Sequence, residues 1–151
     1  MTAYAYFGHE KLQKFAGSLI AKLASDHLPE CYVEDPSKEV FWNMWQESSD
    51  VRKVMLLNTD WTNRGNRKKV KVHTPVCDLD TEIIEREAKI LTVLKNAVIE
   101  TDEQLHVEVV NAGMLRIHGR NQGVVKVHKS AGDYREFTVE FDKTPFAELK
   151  I

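Results

Sequence analysis

The chain begins with a segment of helical periodicity and then alternates between apolar and polar positions. Residues 9–24 predict one amphipathic helix, because side chains three and four positions apart share a helix face. Gly8 precedes this segment and Pro29 follows it, as expected at the ends of a helix. We expect its apolar stripe to be buried against a sheet or another chain. The stripe consists of Leu12, Phe15, Ala16, Leu19, Ile20 and Leu23.

Residues 32–151 consist of short strand-like runs separated by turn residues. Residues 82–94 mix helix-favouring acidic residues with β-branched ones, and we interpret them as two short strands. Runs at a spacing of about 8–12 residues are typical of a sandwich or barrel. We therefore predict a mainly β protein, an antiparallel β-sandwich with one N-terminal amphipathic α-helix. The helical segment is residues 1–30 and the sandwich domain is residues 31–151. The clearest runs are residues 40–45, 51–58, 69–73, 105–109, 115–118, 125–128, 137–141 and 147–151.

The phase of each run predicts which side chains face the core. Trp42 and Trp45 have opposite phase, so at most one of them should be buried. The tetrapeptide Val-Lys-Val-His occurs at residues 70–73 and again at 125–128, which indicates two similar hairpins with valines inward and lysines and histidines outward. The same alternation predicts that the four strand histidines lie on solvated faces. These are His73, His106, His118 and His128.

Composition narrows the classes of function. The chain has 151 residues, 29% of them charged, and a formal net charge of −2, which is ordinary for a soluble domain and gives no general attraction to nucleic acid or anionic membrane. No apolar run reaches the roughly 20 residues that span a bilayer. The N-terminus lacks the features of a signal peptide, so we expect a cytoplasmic protein. Cys31 and Cys77 lack a metal-type spacing and favour free thiols over a disulfide.

Candidate chemistry is sparse in the sequence. The histidines include no His-x-His pair, so we expect no metal site and no cofactor. Glycoside cleavage needs two carboxylates across a sugar bond, and nothing pairs Asp60 with the acidic residues at 82–87. The basic stretch at residues 64–69 lacks interleaved aromatic residues and predicts a solvated turn. We therefore assign no catalytic residue.

The tryptophans are the more informative side chains, because flat aromatic faces stack on sugar rings and on protein partners. Trp61 follows Asp60 at the end of an apolar strand, where a loop would expose it. We predict Trp45, Trp61 and Asp60 as contact residues for carbohydrate or a partner protein.

Two segments resemble a known group of enzymes. Residues 6–15 (YFGHEKLQKF) resemble the closing helix of the amidotransferase-like α/β domain in large multidomain glycoside hydrolases and phosphorylases. Residues 54–61 (VMLLNTDW) resemble the first core strand of the β-sandwich that ends such enzymes. The resemblance implies that the catalytic carboxylates belong to an upstream barrel, which this chain lacks. It also implies that the terminal sandwich serves packing, assembly or support of the substrate cleft.

These observations support three hypotheses. The first is a non-catalytic accessory module of a carbohydrate-active enzyme, serving domain packing, assembly or weak carbohydrate contact, with other domains of a parent enzyme or a second copy as partners. The second is a freestanding protein–protein interaction module that uses the helix stripe and an edge strand. The third is a small metal- or carboxylate-dependent hydrolase.

Overall fold

A computed structural model of the chain describes residues 30–60, 65–141 and 144–151, and these residues are mainly β-strand. The mainly β prediction is therefore confirmed. The predicted helix with its apolar stripe lies outside the described residues, as does Trp61. The strands are β1 (Tyr32–Glu34), β2 (Val40–Ser48), β3 (Val51–Asn58), β4 (Arg67–His73), β5 (Leu79–Ile84), β6 (Ala88–Leu94), β7 (Val98–Thr101), β8 (His106–Asn111), β9 (Met114–His118), β10 (Gly123–Ser130), β11 (Asp133–Val139) and β12 (Phe146–Lys150).

The described strands form three antiparallel sheets, built largely from hairpins between neighbours along the chain. Sheet I has the order β1-β4-β5. Sheet II has six strands in the order β11-β10-β7-β6-β3-β2. Sheet III has the order β12-β9-β8. The two short strands predicted within residues 82–94 correspond to the end of β5 and to β6.

The middle strands of sheet II, β3, β6 and β7, contribute residues to two different cores, one on each face of the sheet. On β3, Val54 and Leu56 pack with sheet I, whereas Val51 packs with sheet III. On β7, Val98 belongs to the first of these cores and Ile99 to the second. The first core contains Cys31, Val40, Val54, Leu56, Val70, Val72, Cys77, Leu79, Ile83, Leu91, Val93 and Val98. The second core contains Val51, Leu94, Ala97, Ile99, Leu105, Val107, Leu115, Ile117, Val125, Val127 and Val139.

The two outer sheets cover different parts of sheet II. The first core takes residues from β2, β3, β6 and β7, and the second core takes residues from β3, β6, β7, β10 and β11. Parts of sheet II at its two ends therefore lie outside these cores. Phe41 and Trp45 are exposed on β2, and Tyr134 is exposed on β11. The candidate binding face lies in one of these uncovered areas.

A buried lysine connects sheet II to sheet III. Lys53 on β3 is only 1% exposed, and its Nζ donates to the carbonyl oxygen of Val107 on β8 at 2.6 Å and to Oγ1 of Thr92 at 3.0 Å. Glu47 lies 3.4 Å from the same ammonium. Desolvation lowers the pKa of Lys53, and the nearby charge of Glu47 opposes that shift. The hydrogen bonds and the carboxylate compensate for the burial of this charge.

Candidate binding face and buried ionic cluster

Five apolar side chains share one face of β2, β3 and β6. Phe41 lies opposite Leu57 in the β2–β3 ladder, and Met55 lies opposite Ile90 in the β3–β6 ladder. Opposed residues of an antiparallel ladder point to the same side of a sheet. Phe41 is 55% exposed and Trp45 is 41% exposed. We call this surface the aromatic face; it consists of Phe41, Trp45, Met55, Leu57 and Ile90.

None of these five residues belongs to either core of the described part of the chain. Trp42 and Met44 have the opposite phase on β2 and pack against the first core. The prediction that at most one of Trp42 and Trp45 faces the core is therefore confirmed. Asn43 lies between Phe41 and Trp45 on this face, and Trp45 lies opposite the buried Lys53. Apolar side chains that are exposed together on a folded domain generally mark an interaction site.

The outer edge of β2 borders the aromatic face. The amide of Val40 donates to Oδ2 of Asp35 and the amide of Met44 donates to Oδ1 of Asn43, each at 2.8 Å. Both amides therefore point away from β3, and by alternation so do the polar backbone groups of Trp42 and Gln46. No described strand pairs with β2 on this side.

Asp60 lies in a hydrogen-bonded network rather than on an open surface. It is 6% exposed, and its amide donates to Oδ1 of Asn58 at 3.0 Å. Its Oδ2 accepts from Nδ2 of Asn66 at 2.8 Å and lies 3.4 Å from Nζ of Lys68, which also contacts Glu39. Asp60 thus links the end of β3 at Asn58 to Asn66 and to Lys68 of β4. A contact role for Asp60 stays a prediction, as does that of Trp61.

A buried ionic cluster lies between sheet I and sheet II, with Glu100 of β7 at its centre. Oε1 of Glu100 accepts from the Thr81 hydroxyl at 2.5 Å and from Nζ of Lys89 at 3.3 Å. Oε2 lies 3.1 Å from Nε2 of His128. The four residues are each less than 9% exposed. Both oxygens of Glu100 are therefore engaged by groups from three different strands besides its own.

The environment of Glu100 keeps it ionised. Burial opposes the charge and is the largest single influence, but the hydrogen bonds from His128 and Thr81 and the charges of Lys89 and Lys126 outweigh it. The pKa of Glu100 falls from 4.5 to about 2. A carboxyl group with this pKa holds no proton near neutral pH, so Glu100 does not suit the role of a general acid.

The histidines occupy different surroundings. His128 is 6% exposed, contrary to its predicted place on a solvated face, because its side of sheet II is the side that carries the ionic cluster. His73 stacks on Tyr32 with ring centroids 4.2 Å apart. His118 lies 2.9 Å from Oε2 of Glu108, and this hydrogen bond is the main influence that lowers the pKa of Glu108. Within the described ranges, no three His, Cys, Asp or Glu side chains are grouped to hold a metal ion.

A cleft of about 640 Å³ lies where the β2–β3, β6–β7 and β8–β9 turns meet. Val51, Leu94 and Val109 supply apolar lining, and Asn96 and Asn111 are among the polar lining residues. A volume of roughly 300–1,000 Å³ with apolar walls and a few polar groups is typical of small-ligand sites. No pattern in the sequence predicts this cleft, because its lining comes from three separate turns.

Comparison of the chain with family models, with curated proteins and with solved structures gives no significant match. The resemblance to the terminal region of glycoside hydrolases and phosphorylases therefore stays a prediction. Among the described residues, no helix has the length and apolar character needed to cross a bilayer.

Proposed function

We propose that the chain is a non-catalytic β-sandwich module that binds another protein surface through its aromatic face. In this proposal it is an accessory module of a carbohydrate-active enzyme. The observation that carries this proposal is the exposure of Phe41 and Trp45 on one side of β2, at 55% and 41%. Aromatic side chains supply much of the binding energy at protein interfaces. The partners are other domains of a parent enzyme or a second copy of the chain.

The engagement of the buried ionisable groups supports the non-catalytic part of the proposal. Glu100 binds Thr81, Lys89 and His128, so its oxygens are already occupied by protein groups. Lys53 donates to Thr92 and Val107. Groups held in this way stabilise the fold, whereas a catalytic acid or base must reach a substrate.

A double substitution tests whether the aromatic face is free in the folded chain. Phe41→Ala together with Trp45→Ala should lower the free energy of unfolding by about 1 kcal/mol or less, because exposed side chains contribute little to folding. Leu56→Ala, which truncates a residue of the first core with no exposed surface, should cost about 2–5 kcal/mol. Urea denaturation of both variants provides the measurement, at a concentration low enough for sedimentation to show only monomer, because a bound second copy would itself add stability. Under that condition, a double variant as unstable as Leu56→Ala would mean that the face is covered within one chain, and would contradict the proposal.

Carbohydrate is a second candidate ligand, favoured by the exposed ring of Trp45 and by the asparagine side chains of the 640 Å³ cleft. Aromatic rings stack on sugar rings, and amides hydrogen-bond to hydroxyl groups. Calorimetric titration with a panel of oligosaccharides should detect binding that Trp45→Ala weakens by about tenfold or more. Tyr134→Ala is the matched control, since Tyr134 is a 47% exposed aromatic residue on the opposite edge strand of sheet II. Equal loss in both variants, or no binding to any sugar, would exclude carbohydrate contact at Trp45.

A further inference from the structure

We infer that the partner of the β2 surface is a second copy of this chain, whose β2 pairs antiparallel with the first across a two-fold axis at Asn43. This inference rests on the proposed function, and it names the partner and the geometry. The pairing would join two copies of sheet II into one continuous sheet.

The two edges of sheet II differ in a way that favours pairing at β2. Edge strands of natural proteins are usually protected from other chains by charged residues, proline or bulges. The β11 edge carries Asp133, Arg135 and Glu136 within seven residues. Residues 40–46 of β2 contain no charged residue and no proline. A bulge near Gln46 and Ser48 ends the regular part of β2 on one side.

The β2 sequence is complementary to itself when Asn43 lies opposite Asn43 of the second copy. In that register Phe41 lies opposite Trp45 of the second copy, on the aromatic face. Trp42 lies opposite Met44 of the second copy, on the face toward the first core. Cross-strand pairs of aromatic and large apolar residues stabilise antiparallel ladders. A two-fold axis forms each of these pairs twice.

The backbone groups of β2 fit this register. The polar groups of Trp42 and Met44 point outward, so these two residues form a hydrogen-bonded pair across the axis, and symmetry repeats it. The amide of Met44 would exchange its bond to Oδ1 of Asn43 for a carbonyl of the second copy. The amide of Val40 keeps its bond to Asp35, so at that end only the carbonyl of Val40 joins the ladder, where it accepts from the Gln46 amide of the second copy.

Charge opposes the pairing at the two ends of the ladder. Asp35 contacts the amide of Val40, and this register brings Glu39 opposite Glu47 of the second copy. Glu47 lies 3.4 Å from Lys53, whereas Glu39 shares Lys68 with Asp60, so the approaching ends carry net negative charge. Salt screens repulsion between exposed charges, so the dimer should become stronger as the salt concentration rises.

Substitutions at the axis test the dimer and its register together. The full chain should sediment at twice the 17.4 kDa chain mass, and the dimer should dissociate on dilution. Asn43→Lys places two lysines directly opposite each other and should weaken the dimer by about tenfold or more. Asn43→Glu should do the same by itself. An equimolar mixture of the two variants should recover the dimer, because the opposed charges then attract.

The matched control is Thr138→Lys, which places a lysine at an exposed position of the opposite edge strand and should leave the dimer unchanged. Circular dichroism verifies that each variant is folded, and a misfolded variant is replaced by Asn43→Asp or Asn43→Arg, with the same expectations.

A chain that is monomeric at every concentration overturns the inference, as does a dimer that survives both charged variants or a mixture that stays monomeric. If the chain is monomeric and the Phe41→Ala/Trp45→Ala variant is stable, only the dimer is contradicted and the proposed function stands. If the monomeric double variant is as unstable as Leu56→Ala, the proposed function itself is contradicted.

Discussion

Replacing Glu100 by alanine should lower the free energy of unfolding by about 3–5 kcal/mol, because it removes the common partner of three buried polar groups. Lys89 would keep only Glu103, whose Oε1 lies 3.9 Å from its ammonium, and the Thr81 hydroxyl at 3.2 Å. His128 would lose its carboxylate partner at 3.1 Å. Equilibrium denaturation in urea near neutral pH measures the effect.

Glu108→Ala is the control for this experiment. Glu108 also accepts from a histidine and pairs with an arginine, but its side chain is 47% exposed. Water replaces the lost contacts of an exposed carboxylate, so this variant should be nearly as stable as the unsubstituted chain. A Glu100→Ala variant that is equally stable would show that the cluster does not hold sheets I and II together.

The same carboxylate should make the protein sensitive to acid. The pKa of Glu100 is about 2 in the folded chain, against an ordinary value of 4.5. As the pH falls, the unfolded chain takes up this proton first, which favours unfolding. The contribution of Glu100 is therefore present above about pH 4.5 and is lost as the pH falls toward about 2. Since one pKa unit corresponds to about 1.4 kcal/mol, the loss amounts to about 3 kcal/mol.

Glu100→Gln isolates this contribution from the titration of other carboxylates. Glutamine does not titrate, so the variant lacks the contribution of the ionised carboxylate at every pH. The difference in free energy of unfolding between Glu100→Gln and the unsubstituted chain should therefore shrink as the pH falls from 4.5 to 2. Urea denaturation at a series of pH values measures both proteins under matched salt. Parallel curves across that window would contradict the assignment of a strongly lowered pKa to Glu100.

Alternation along the chain predicted most of the strands. The runs at residues 40–45 and 51–58 correspond to β2 and β3, and the repeated Val-Lys-Val-His segments lie in β4 and β10 with all four valines buried. These predictions succeed because a strand with one buried face produces a period of two. Residues 54–57 form a continuous apolar run, which is typical of a central strand, and β3 is paired on both sides.

The elements that escaped prediction lack that period. β1 is only three residues long. β7 has all four residues buried, since its two faces contribute to different surroundings, and a fully buried strand has no polar phase. The burial of His128 escaped prediction for the same reason. Alternation places it opposite the valines of β10, but it does not reveal that the other face is also covered.

The candidate sites were predictable only in part. The opposite phases of Trp42 and Trp45 follow from the sequence, and so does the exposure of one of them. The ionic cluster does not, because it joins Thr81, Lys89, Glu100 and His128 across two sheets, and no local pattern relates positions 28 residues apart such as Glu100 and His128. Strand order, which the sequence leaves open, creates that neighbourhood.

Amide hydrogen exchange of the full chain in dilute and in concentrated solution tests most directly whether the β2 surface is a contact surface. The outward amides of Trp42 and Gln46 should exchange rapidly in dilute solution and become protected as the concentration rises, because pairing with a second copy gives them acceptors. The β11 edge should exchange at the same rate throughout. Exchange at Trp42 and Gln46 that is independent of concentration, in a chain that remains folded, would contradict the account.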